Sequence, residues 1–121
     1  MRIAVPYWQG RVSPVFDVAR NILLVEVQNG LELRRNKKPL VQKDLLGRAK
    51  RVSQFGVDVL ICGAISRLSE LTLSSLEVKV IAYICGPVED VIKAFLSDRL
   101  TENSFLMPGC RGRYKGFGAN H

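Results

Sequence analysis

The run Val57-Asp58-Val59-Leu60-Ile61-Cys62-Gly63 constrains the fold more than any other stretch of the chain. It carries a single acid among apolar residues and closes on glycine, the pattern of a strand covered on both faces near the middle of a parallel sheet. Open α/β sheets bind ligands just beyond the carboxyl ends of their strands. That rule places Cys62 at the edge where chemistry is expected.

The remaining segments order themselves around this strand. Arg2 to Pro6 reads as a strand that proline ends, because proline has no N–H to give to a ladder. A loop from Tyr7 to Arg20 follows, with Trp8, Gly10, Ser13-Pro14 and Phe16-Asp17. Asn21 to Val27 and Leu31 to about Lys37 are two strands joined at Asn29-Gly30, the strongest short hairpin signal. Leu45, Leu46, Ala49, Val52 and Phe55 recur at helical spacing, and Gly56 suits the position just past a helix end. Ser66 or Ser69 can cap a second helix with Leu68, Leu71 and Leu76 on its apolar face. Val78 to Ile84 is a further strand, and Pro87 opens a helix with Val88, Val91, Ile92, Phe95 and Leu96 on one face.

The strand-helix-strand unit from Val57 to Ile84 requires a right-handed crossover, so its two strands are parallel. The expected fold is α/β, resembling the ribonuclease H fold. It has a five-stranded mixed sheet in the order 3-2-1-4-5, with helices packed on its faces. Residues 1–100 form the expected ribonuclease H-like domain, and residues 101–121 a Gly/Arg-rich C-terminal tail.

Length and composition narrow the function. A chain of 121 residues with 47% hydrophobic content is one domain with one core. Met1 leads directly into a strand, and no apolar run reaches the roughly 18 residues of a membrane span, so a cytoplasmic protein without membrane contact is expected. Eighteen basic against eleven acidic residues give a charge of +7, which favours an anionic partner. The groups Arg34, Arg35, Lys37, Lys38 and Arg48, Lys50, Arg51 read as solvated faces. Metal-dependent hydrolysis of nucleic acid needs a cluster of acids, and the first strand carries none. His121 is the only histidine and ends the chain, a poor place for a general base. An enzyme is therefore not expected.

Three cysteines remain. Cys62 and Cys85 each precede a glycine at the carboxyl end of one of two neighbouring strands, near the start of a helix whose dipole favours a thiolate. Cys110 lies in Met107-Pro108-Gly109-Cys110-Arg111-Gly112. Soft thiolates select copper(I), zinc or iron-sulfur centres, and these three are the candidate metal ligands. Burial as small hydrophobes is the alternative for Cys62 and Cys85. Tyr7, Trp8, Gly10, Ser13, Gly63, Ala64 and Gly86 complete the candidate cofactor site.

The segment Gly10-Arg11-Val12-Ser13-Pro14-Val15-Phe16-Asp17-Val18-Ala19, the core Asp58 to Ser66 and the helix from Gly86 to Leu100 together resemble the dinitrogenase iron-molybdenum cofactor biosynthesis family. That family includes NifX-like carriers and the carboxyl-terminal domain of NifB-like proteins. The resemblance implies a ribonuclease H-like fold and a non-catalytic protein that carries an iron-molybdenum or related metal-sulfur cluster among cofactor-assembly partners. Many members have His-Phe-Gly where this chain has Val15-Phe16-Asp17, so no loop histidine is available as a ligand. Two readings compete. One is a nucleic-acid-binding module using Arg111, Arg113, Tyr114, Lys115 and Phe117; the other is a scaffold or regulator that uses the hairpin edge.

Overall fold

The computed structural model describes residues 1–108, apart from the side chain of Asn103. Its elements are β1 (Arg2–Trp8), β2 (Arg11–Val12), β3 (Asn21–Gln28), β4 (Leu31–Pro39), α1 (Leu45–Gln54), β5 (Val59–Ile61), α2 (Arg67–Ser75), β6 (Lys79–Ile81) and α3 (Val88–Leu96). The sheet runs β4-β3-β1-β5-β6, with β2 paired to β1 off that path. β1 is antiparallel to β3 and parallel to β5, and β5 is parallel to β6.

The sheet has six strands, where five were expected. The addition is β2, which exists because β1 does not stop at Pro6. The Pro6 carbonyl accepts from the Ser13 N–H at 2.9 Å, on the side of β1 away from β3. A strand residue's N–H and C=O point the same way, so the missing donor of Pro6 costs no bond to β3. β1 therefore continues to Trp8 and turns tightly at Gln9 (φ 51°) and Gly10 (φ 76°) into β2. Asn29 (φ 54°) and Gly30 (φ 76°) make the equivalent turn between β3 and β4, both with the positive φ that a type I′ hairpin demands.

Period-two alternation builds two cores. Ile3, Val5, Val25, Val59 and Ile61 face α3, whose Val88, Val91 and Ile92 meet them. Ala4, Leu24, Leu60 and Cys62 face the other way, under α1 and α2. Full burial of a residue such as Val91 or Ile92 contributes about 2 kcal/mol relative to exposure. The apolar face expected for α2 is not the one used. Leu68 and Leu71 are exposed, while Leu73 is buried and Leu76 partly so, because the inward face carries Ser69, Leu73 and Leu76 at i, i+4 and i+7. β6 is shorter than expected, since Tyr83 at φ 64° turns the chain after Ala82. Leu100 and Leu106 are buried in the α3-side core, and Ile84 bridges Leu106, so the packed unit runs past residue 100.

All three helices end on a left-handed residue: Gly56, Glu77 and Asp98. After α2, the Glu77 N–H donates to Ser74 O and the Val78 N–H to Leu73 O, both at 3.0 Å, a Schellman closure without glycine. A Cβ in this conformation costs about 1–2 kcal/mol, and glycine returns part of that gain through its freer unfolded state. Glu77→Gly is therefore expected to stabilise the domain by about 0.5 kcal/mol, read as a higher urea midpoint at unchanged slope.

Candidate functional site

The carboxyl ends of β1, β5 and β6 meet in a platform held by backbone bonds. From β2, the Val12 N–H donates to Gly86 O at 3.0 Å, and the Val88 N–H donates to Gly10 O at 2.9 Å. The chain then runs beside the end of β5, where the Ala64 N–H donates to Pro14 O and the Phe16 N–H to Ala64 O, each at 2.8 Å. Such an approach leaves no room for a side chain at residue 63. A Cβ on Gly63 would lie 2.5 Å from both Ser13 O and Pro14 O. Gly86, at φ 124°, holds the matching position after β6 in a conformation open to glycine.

A polar clamp fastens the far end of the loop. The Asp17 carboxylate accepts from the Ser66 N–H at 3.0 Å, the Ser66 hydroxyl at 2.7 Å and the Ser69 hydroxyl at 2.9 Å. Arg48, only 5% exposed, donates to the carbonyls of Phe16, Ala19 (2.8 Å) and Gln42 (2.8 Å), with its guanidinium 5.1 Å from the centre of the Phe16 ring. Arg48 was expected on a solvated face and is instead inside. The sequence signal was its place three residues after Leu45, next to Ala49 on the apolar stripe. Burial lowers its pKa while Asp17 opposes that shift. The Phe16 carbonyl accepts from the Ala19 N–H at 3.1 Å, and the buried guanidinium adds a second donor there and supplies one to the Ala19 carbonyl.

Burial alone would raise the Asp17 pKa. The hydrogen bonds from Ser66 and Ser69, with the charge of Arg48, outweigh it and hold the carboxyl below its ordinary 3.8. A depressed folded-state pKa gives stability that is complete above the unfolded value and is lost as pH falls through the folded one. Asp17→Asn is therefore expected to lower stability at neutral pH and to flatten its decline below about pH 4. Urea midpoints of both proteins across the acid range measure this.

The expected site residues divide by environment. Tyr7, Trp8 and Ser13 line one groove of about 240 Å³ with Pro14, Val18 and Arg20. Trp8 is 60% exposed, and the Lys37 ammonium stands 5.7 Å from the centre of the Tyr7 ring. Gly10 is exposed at the turn and Ser13 is buried beneath the loop. Gly63 is covered by that loop, while Ala64 and Gly86 are half-buried.

The two described cysteines are not equivalent. Cys62 is fully buried among Leu60, Leu73 and Ala82, and burial pushes its thiol pKa far up, so it is a neutral packing group there. Cys85 is half-exposed, its N–H donating to Phe105 O at 2.7 Å. Cys110 lies outside the described residues. Among the described residues, no group of three or more His, Cys, Asp or Glu side chains is placed to hold a metal ion. No described helix is long and apolar enough to cross a membrane.

Solved structures share this fold. The protein designated PH0822 matches with a TM-score of 0.77 at 22% identity, over 83% of this chain and 93% of its own. The apo form of the orange protein from Desulfovibrio gigas matches at 0.69 and 22%, over 82% and 89%. A Methanocaldococcus jannaschii protein, provisionally described as a dinitrogenase, matches at 0.66 and 20%, over 83% and 91%. No curated protein sequence matches significantly. The family profile described as dinitrogenase iron-molybdenum cofactor matches residues 1–98, most of the packed unit including the glycine-dependent platform, and the chain belongs to that family.

Proposed function

We propose that this protein is a small non-catalytic carrier or chaperone with a ribonuclease H-like fold. Its cargo is an iron-molybdenum or related metal-sulfur cluster, received from and passed to assembly partners in the cytoplasm. The observation that carries the reading is Cys85, a half-exposed soft donor at the carboxyl end of β6, set beside Gly86 on a platform bonded to the β1–β2 turn. A thiolate there binds an exposed metal of a preassembled cluster, which brings its own bridging sulfurs and needs few protein ligands. The net charge of +7 draws such an anion in, with Arg20 and Lys37 near the Trp8 groove. The family membership supports the same cargo. Among similar folds, the Desulfovibrio gigas protein is described as an apo form, and a Thermotoga protein is described as NifB-like.

Trp8 is the only tryptophan, so its emission reports on the groove. Anaerobic incubation with iron, sulfide and molybdate is expected to give visible absorption and bound metal, and to quench that emission. Cys85→Ala with Cys110→Ala should reduce the bound metal several-fold. A Cys62→Ala variant, once shown to be folded, should retain it. Equal metal on wild type and on the Cys85/Cys110 double variant would sink the reading.

A further inference from the structure

A second cavity, of about 330 Å³, opens on the α1 side of the sheet between β4 and the end of α1. Its charged lining is Arg2, Arg34 and Lys38 against the single carboxylate of Glu26, with Asn36 and Gln54 as neutral donors. A β-bulge creates the arrangement. Val27 pairs with Glu32 and Glu26 with Arg34, so Leu33 is the extra residue. Without it Arg34 would stand opposite Val25 on the α3 face. With it, Arg34, Asn36 and Lys38 share the α1 face with Glu26 and Leu24.

Glu26 is fully engaged. It accepts from the Arg2 guanidinium at 2.5 Å and pairs with Arg34 Nε at 3.0 Å; Arg2 also donates to Phe55 O at 2.5 Å and is committed within the protein, whereas Arg34 meets Glu26 through Nε. Lys38 has no ion-pair partner among the described residues. Arg51 lies over the Phe55 ring at 4.5 Å, at the same helix end. Arg34 and Lys38 are four residues apart on one strand, about 13 Å, too far for one phosphate group to bridge. Carboxylate and phosphate both accept a guanidinium fork through paired oxygens, but a phosphate carries more acceptor oxygens to share among Arg34, Lys38 and the neutral amides.

We propose that this groove binds phosphate esters, taking two phosphate groups along β4, at a site separate from the Cys85 platform. The full-length, isotope-labelled protein titrated with inorganic tetrapolyphosphate, with hexathymidylate and with hexaglutamate tests this. Amide shifts are expected at residues 34–38 and Gln54. The Arg34→Gln/Lys38→Gln double variant should bind at least tenfold more weakly with an unchanged urea midpoint, since both side chains lie at the surface. If nucleic-acid backbone is the source, affinity rises with oligonucleotide length, and each cation removed lowers the salt slope by about 0.7. If the source is a free phosphate, tetrapolyphosphate, long enough to reach along the strand, binds as well as the hexamer. Hexaglutamate binding equally tightly, shifts spread evenly over the other basic residues, or a double variant that binds like wild type would each overturn the proposal. A Cys85→Ala/Cys110→Ala protein should bind normally here, which keeps this test apart from that of cluster binding.

Discussion

Gly63→Ala is expected to destabilise the domain by about 3 kcal/mol, because its new methyl group meets two backbone oxygens and not a side chain that can swing away. The oxygens of Ser13 and Pro14 would each stand 2.5 Å from the added carbon. Relief requires the loop to lift, and lifting stretches the bonds between Ala64 N–H and Pro14 O and between Phe16 N–H and Ala64 O. The melting temperature should fall by roughly 10 °C for a domain of this size. Calorimetry measures that fall, and emission from Trp8 reports whether the groove opens with it. A fall of only a degree or two would show that the loop yields without cost.

Arg48→Ala should cost about 3 to 4 kcal/mol by a different route. The change takes the guanidinium donor from the carbonyls of Ala19 and Gln42, leaves that of Phe16 with the Ala19 N–H alone, and strips the Phe16 ring of its cover. Each buried carbonyl left unpaired costs about 1–3 kcal/mol, less where water reaches it. Arg48→Lys keeps the charge but presents no planar fork, so it should recover less than half of the loss. Urea unfolding gives the size of the effect, and faster trypsin cleavage at exposed Arg20 would localise it to the loop.

The hairpin was legible because Asn29-Gly30 is a local instruction, and the helix cap at Ser66 is of the same kind. The central place of β5 was legible in its unbroken apolar run. What escaped were features fixed across the fold. Arg48 is buried because acceptors far away in the chain need it, and no short window contains both. Cys62 and Cys85 share a strand-end glycine in sequence, yet Cys62 keeps the parity of Leu60 and is sealed. Near Cys85 the parity slips, since Ala82 and Tyr83 both pack on the α1/α2 side and Tyr83 takes a positive φ. A single left-handed residue thus separates a packing thiol from a half-exposed one, and nothing in a tyrosine codon position announces it. Strand β2 was missed because Pro6 reads as a stop when its empty donor faces away from β3.

The anchors of the loop between β1 and β3 come late in the chain: 29 residues separate Ala19 from Arg48, and 49 separate Asp17 from Ser66. Closing such spans costs entropy before any bond repays it. The hairpin β3–β4 and the pairs β1–β3 and β5–β6, whose partners are closer in the chain, can assemble first, and the loop then locks onto them after the rate-limiting barrier. Lesions at Gly63 or Arg48 should therefore steepen escape from the native state and leave refolding speed close to normal. The platform at the strand ends is thus held by kinetics of its own, fastened last and first to come undone.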